Sequence, residues 1–265
     1  MRSRILVGIF VLLGALALAQ SGSPDALYER GINAITGIGE TRNDTAGIDY
    51  FRRSADLGFG PAQVALGYYY EMGVVPGNQG QASLDLYKKA AQRGDYLAAW
   101  MLGRRYYLGN GIPQDLDAAK KWFKMAADQN NAYGAYYLGR SIADKDPAKA
   151  LALYKIAADQ GLPQAQYFYA KALKDGTGGA SDKFNAYVWF SIADDAGYGA
   201  AGDALTQLRA MGALNVEEIN QAQAKTKDLE QVVIRAVTAR GCSGWDGEFG
   251  EFPTPPPPSL QRFCR

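Results

Sequence analysis

Hydrophobic and polar positions along this chain recur on two scales. Locally, apolar residues return every fourth position, as in Ala62, Leu66 and Tyr70. The series comes back as Ala98, Leu102, Tyr106, then Gly134, Leu138, Ile142, then Ala165, Tyr169, Leu173. Steps of four keep one stripe of side chains on one side of a helix. Between these stretches runs a second pattern, an aromatic or leucine pair followed by a small pair. Tyr50-Phe51 precedes Ser54-Ala55, Leu86-Tyr87 precedes Ala90-Ala91, and Trp122-Phe123 precedes Ala126-Ala127. Leu153-Tyr154 precedes Ala157-Ala158, and Trp189-Phe190 precedes Ala193-Asp194. The two patterns alternate, so the spacing predicts pairs of helices.

The longer scale is a shift of 36 residues, which superposes Gly31, Gly67, Gly103 and Gly139. It also superposes Gly37, Gly73 and Gly109, and Gly58, Gly94 and Asn130; one unit is then five residues short, and the frame resumes at Gly161 and Gly197. The Gly beside Leu66, Leu102 and Leu138 lacks a side chain, which lets the paired helix approach closely. Gly or Asn at the end of each unit suits the left-handed cap that closes a helix. Gly73-Val74-Val75-Pro76-Gly77, Gly109-Asn110-Gly111-Ile112-Pro113 and Asp144-Lys145-Asp146-Pro147 interrupt the pairs as turns. Large residues on one helix and small ones on its neighbour bury their faces only by stacking pair on pair, which is an α/α solenoid.

These residues resemble the Sel-1-like repeat family, relatives of the tetratricopeptide repeats. The family pattern A-x-x-x-L-G-x-x-Y-x-x-G is filled by Ala98, Leu102-Gly103, Tyr106 and Gly109. Its second half is filled by Ala118-Ala119, Trp122-Phe123, Ala126-Ala127 and Asn130. The match covers roughly residues 26–197; Arg30 and Ala34 stand where Leu and Tyr are expected in repeat one, as in an atypical N-terminal cap. The resemblance implies an all-α fold, a right-handed α/α superhelical solenoid of about five helix pairs plus C-terminal capping helices. The expected division is a signal peptide at 1–19 and a solenoid at 20–197, with units at about 26–58, 59–94, 95–130, 131–161 and 162–197. Capping helices at 198–240 and a Gly/Pro-rich tail at 241–265 follow. Ala200 to Met211 and Asn215 to about Ala239 supply the helical patterns, with Ile219, Leu229, Val233 and Ile234 to cover the last repeat; a partner-binding helix is the alternative.

The resemblance also implies a protein-interaction scaffold or adaptor and no catalysis. A cysteine-rich exported branch of the family, linked to penicillin binding and β-lactamase activity, carries a cysteine pair in each repeat. This chain has no cysteine in any repeat, a departure from that branch; a cell-wall or β-lactam-directed enzyme is the rival reading that the branch alone implies, and a secreted host-interaction factor is a third. In related solenoids the first helix of each unit lines a concave groove. Two columns of this sequence are placed there, Tyr28, Val64, Trp100, Tyr136, Tyr167 and Ile32, Tyr68, Arg104, Arg140, Lys171. The groove candidates are Tyr68, Trp100, Arg104, Tyr136, Arg140, Tyr167 and Lys171, rings beside cations that suit an acidic or aromatic-bearing peptide or an anionic glycan. The alternative is that Trp100 and the tyrosines pack between neighbouring first helices.

Composition narrows the chemistry further. The chain of 265 residues is 48% hydrophobic and contains no histidine, which removes His triads, His general bases and His metal sites. Two cysteines cannot build a Cys₄ zinc site, and no pattern calls for a cofactor or metal. A net charge of +1 offers no basic stripe for nucleic acid. Arg2 and Arg4 precede an uncharged apolar stretch from Ile5 to Leu16, and Ala17-Leu18-Ala19 gives the small-x-small pattern of a signal-peptidase site. The stretch is short against the roughly 20 residues of a membrane span. Cleavage after Ala19 predicts a periplasmic or secreted protein with no transmembrane segment and a net charge of −1; an uncleaved anchor is the alternative.

Both cysteines, Cys242 and Cys264, lie in the tail with Pro253 and Pro255 to Pro258. In an oxidising compartment they are expected to form a disulfide, with free thiols or intermolecular pairing as competitors. The proline run reads as a stiff spacer or a docking strand. No Ser is followed three residues on by Lys, Gly37-Ile38-Gly39 and Gly176-Thr177-Gly178-Gly179 read as turns, and Gly241-Cys242-Ser243-Gly244 lacks the strand-turn-helix context of a nucleophile elbow. The pairs Asp194-Asp195 and Glu217-Glu218 read as solvated surface.

Overall fold

The computed structural model describes residues 22–239, apart from residues 40, 78 and 110. The signal segment 1–19 and its cut after Ala19, the tail 241–265 and the Cys242–Cys264 pairing lie outside the described residues. Among the described residues there are twelve helices and no strand. They are α1 (Pro24–Thr36), α2 (Asp44–Asp56), α3 (Gly60–Glu71), α4 (Gln79–Gln92), α5 (Tyr96–Leu108) and α6 (Leu116–Asp128). Then come α7 (Ala132–Ile142), α8 (Pro147–Asp159), α9 (Pro163–Asp175), α10 (Lys183–Asp195), α11 (Gly199–Ala210) and α12 (Val216–Ala239). Five helix pairs are thus followed by two further helices, the all-α repeat fold that the periodicity predicts. No described helix is long and apolar enough to cross a membrane. The described residues fall into two compact units, one reaching Leu102 and taking in residues 111–112, the other made of Gly103–Gly109 and the chain from Pro113 onward.

Local chemistry sets the helix ends. Side-chain oxygens of Asn43, Asp115, Asn131, Asp146 and Asp182 accept the N–H of the residue three positions on, at 2.7–3.1 Å. Each satisfies a donor that a first turn leaves open, and each is worth about 1 kcal/mol. Pro24, Pro61, Pro147 and Pro163 occupy first turns, where their missing N–H costs nothing. Units close on Gly58, Gly94, Gly161 and Gly197 at φ 86° to 92°, and on Asn130 at φ 61°, the one non-glycine residue among those described with a positive φ.

Packing within each repeat follows from the glycine frame. In the first unit a Cβ added at Gly31 would lie 2.5 Å from the Phe51 ring, and one at Gly67 would lie 2.6 Å from the Tyr87 ring. In the second unit Gly103 stands in the same relation to Phe123 at 2.6 Å and Gly139 to Tyr154 at 2.8 Å. All four rings are buried. The ring on the second helix therefore sits in the space that the first helix leaves by having no side chain. The fifth repeat carries Ala170 in that frame position, also buried. A second contact links consecutive repeats: the buried amide of Gln63 donates to the Ala55 carbonyl at 3.2 Å in the first unit, and Gln166 to the Ala158 carbonyl at 3.4 Å in the second.

The last two helices pack on α10. On α12 the buried positions are Ala222, Thr226 and Val233, while Ile219, Leu229 and Ile234 are half-buried. Lys225 Nζ donates to Asn185 Oδ1 of α10 at 2.8 Å. Glu218, one of the acidic pair expected to be plain surface, closes a capping box: Asn215 N–H donates to Glu218 at 2.8 Å and Glu218 N–H to Asn215 Oδ1 at 3.0 Å. Asp195, from the other acidic pair, meets Glu230 of α12. Burial, then the hydrogen bond to Asp195 and its charge, push Glu230 up to about 7, with Lys227 pulling the other way.

Candidate functional site

Burial along the first helices decides which residues a partner can reach. In α3 the run Ala62 to Gly67 is buried without a break, in α5 the run Ala98 to Gly103, and in α7 the run Gly134 to Gly139. These runs are in register with the 36-residue frame. Six consecutive buried residues go more than once around a helix, so the middle of α3, α5 and α7 is enclosed on every side, whereas α1 and α9 bury only scattered positions. Small residues make this possible, since Ala and Gly leave room for neighbouring helices close to the backbone. The C-terminal halves emerge. Tyr68, Tyr69 and Tyr70 are half-buried on α3, as is Arg104 on α5, while Arg140 on α7 and Lys171 on α9 are exposed.

The sequence-predicted groove therefore splits. Trp100, at 0% exposure, and Tyr136, at 5%, are interior residues and are corrected here from groove lining to core. Both fall in the enclosed runs of their helices, and Val64 of the same column is buried for the same reason. Tyr167 is half-buried and packs against Phe168, Phe190 and Tyr198, with ring centroids 5.1–5.5 Å apart. The column four residues further on supplies the accessible side chains: Tyr68 and Arg104 are half-buried, Arg140 and Lys171 exposed.

In the second unit these residues are tied to an aromatic cluster. Phe123 stacks on Tyr137 at 5.1 Å, Tyr137 meets Tyr136 at 5.0 Å, and Tyr136 meets Phe168 at 5.7 Å. Tyr154 closes the set against Phe168 at 5.7 Å. Over this cluster lies the Arg140 guanidinium, its carbon 5.9 Å from the Tyr107 ring, 5.7 Å from Tyr136 and 5.5 Å from Phe168. Arg140 Nη1 donates to the Tyr136 hydroxyl at 3.4 Å. Apart from burial itself, every group that acts on the Arg140 charge is a phenol, from Tyr136, Tyr107 or Tyr137. Burial also pushes the Tyr154 phenol up to about 12, so it stays neutral and supplies no counter-charge. The arrangement offers fixed positive charge beside apolar rings and can bind an anion.

Tyr107 and Phe168 were not singled out by column counting. Their signal lies in the doublets Tyr106-Tyr107, Tyr136-Tyr137 and Tyr167-Phe168, since adjacent helical residues point about 100° apart and two ring directions are covered at once.

A family model described as Sel1 repeat matches residues 24–59, 60–95, 97–131, 132–162 and 163–198. No curated protein sequence matches the chain. Among solved structures, a protective antigen present in uropathogenic Escherichia coli strains and displaying an SLR fold is similar, with 26% identity and a TM-score of 0.66. The similarity covers 88% of this chain and 49% of that one, so this chain spans about half the length of the antigen. A Sel1 repeat protein from Oxalobacter formigenes is similar at 25% identity and a TM-score of 0.67, over 79% of this chain and 87% of that one.

Proposed function

The chain belongs to the Sel1 repeat family, and from that premise we propose that it is an exported protein-interaction scaffold of the bacterial envelope or secreted space, holding an acidic partner segment on the first-helix face of its second unit. Sel1 repeat proteins generally serve as protein-interaction scaffolds. The observation that carries the finer reading is the exposed Arg140 head beside aromatic rings at the end of the enclosed run of α7, with Lys171 exposed at the same frame position of α9. Fixed cations on a rigid helix lose little entropy on binding, which favours capture of a complementary segment. Export rests on Arg2, Arg4, the apolar stretch after them and the Ala17-Leu18-Ala19 pattern.

Crosslinking in the native envelope followed by mass spectrometry tests the scaffold. A protein partner is expected with the wild-type chain, and the double charge reversal Arg140→Glu and Lys171→Glu is expected to reduce its recovery with the far-UV circular dichroism spectrum unchanged. Unchanged recovery would discard this face. Mass analysis of the periplasmic protein is expected to find Gln20 as the first residue; a species that retains residues 1–19 refutes cleavage.

A further inference from the structure

Arg140 is held in a way that a surface arginine does not need for its own solvation. Three rings surround its guanidinium, and they come from three different first helices: Tyr107 of α5, Tyr136 of α7 and Phe168 of α9. Ring contacts engage the π system of the guanidinium and use none of its five N–H donors. Among the described residues the only one of these donors with a hydrogen-bond partner is Nη1, at a long 3.4 Å from the Tyr136 hydroxyl. Among the described residues no carboxylate lies within 4.0 Å of Arg140 or of Lys171, which holds the equivalent frame position on α9. Two lysines of neighbouring helices, by contrast, pair with a carboxylate one helical turn away, Lys124 with Asp128 at 2.6 Å and Lys155 with Asp159 at 2.7 Å. Arg140 thus combines an exposed head, a stem fixed by aromatic packing and an open donor fork.

A fork of this kind matches a carboxylate, which accepts two parallel N–H bonds, and the rings around it suit an apolar side chain next to that carboxylate. We propose that Arg140 is the anion-receiving residue of the second unit, and that it takes the side-chain carboxylate of a Glu or Asp flanked by an aromatic residue in an extended segment of a partner protein. This rests on the scaffold reading above and adds the chemical identity of what is recognised. The aromatic neighbour rests on the half-buried Phe168, and Lys171 receives a second acidic residue of the same segment.

The test titrates the purified full chain with the peptide acetyl-Glu-Phe-Glu-amide, its neutral counterpart acetyl-Gln-Phe-Gln-amide and a heparin-derived hexasaccharide. Binding is followed by calorimetry and by the arginine Nε–H resonances in NMR. The Glu peptide is expected to bind at millimolar concentration or better and to shift the Arg140 resonance. The Gln peptide and the Arg140→Gln variant are each expected to show about 10-fold weaker binding or less. Arg140→Lys keeps the charge and loses the fork, so an intermediate loss is expected and covers the case in which Arg140→Gln does not fold. Equal binding of the two peptides, no binding of either, undiminished binding by both variants, or binding of the hexasaccharide alone overturns the proposal. Envelope crosslinking with the same variants separates the two readings. Partners captured equally by wild type and Arg140→Gln leave the scaffold standing and sink the carboxylate receptor, whereas no partner for the wild type sinks the scaffold itself.

Discussion

Gly103→Ala sets two effects of opposite sign against each other. Gly103 lies inside α5, where alanine is favoured over glycine by about 1 kcal/mol through backbone entropy alone. The new methyl would stand 2.6 Å and 2.7 Å from two carbons of the Phe123 ring and 3.2 Å from the Ala119 carbonyl oxygen. Ordinary contact begins near 3.4 Å, so the ring would have to retreat by most of an ångström. It has little room to do so, since Phe123 has 0% exposure, stacks on Tyr137 at 5.1 Å and meets Tyr107 at 6.1 Å. Overpacking of this kind costs about 1–3 kcal/mol, and a ring backed by other rings belongs near the upper end. The net expectation is a loss of about 1–2 kcal/mol, or a fall in melting temperature of about 3–6 °C for a protein of this size. Circular dichroism at 222 nm measures it, with Gly199→Ala as control because nothing lies within 4 Å of a Cβ there. In a Phe123→Leu background the same substitution should cost less or become stabilising, a coupling of more than about 0.5 kcal/mol. A melting temperature that is unchanged or higher for Gly103→Ala in the wild-type background would refute the account of the glycine frame.

Asn130→Ala forces a Cβ residue without a compensating side chain into φ 61° and removes the Gln160 contact at 3.1 Å; a loss of about 1–2 kcal/mol is expected in urea denaturation, with Asn130→Gly milder. Trp100→Ala should cost about 3–5 kcal/mol because the side chain is fully enclosed, and a loss under about 1 kcal/mol would return Trp100 to the surface. Glu230 has a folded-state pKa of about 7, raised above its ordinary value of 4.5. The stabilisation from this group is therefore complete below the ordinary glutamate range and is lost as pH rises through about 7. Melting temperature should fall across that window for the wild type and flatten in Glu230→Gln; parallel pH profiles would remove the Asp195 contact from the account.

The fold was legible because its main contact is local in sequence. Glycine on the first helix and a ring on the second lie about 20 residues apart, and the pairing Gly31–Phe51, Gly67–Tyr87, Gly103–Phe123 repeats in one frame. Surface was harder to read. Steps of four give a direction around the helix and carry no information on how far neighbours extend along it, so the pattern points Trp100 and Tyr136 toward a groove while the structure buries both in enclosed runs. Arg140 was found by the same counting because its position falls just past the enclosed run. The rings that hold it were not, since Tyr107 and Phe168 reach it from other repeats. The contact of Asp195 with Glu230 joins residues 35 positions apart that both look like ordinary surface charge, and no local pattern marks it.

In α3, α5 and α7 a run of six buried positions precedes last turns in which most side chains reach solvent. The positions that hold these helices together and the positions open to solvent are thus different letters of the same repeat. Substitutions at the open positions can change the charge and shape the surface presents while leaving the interior intact.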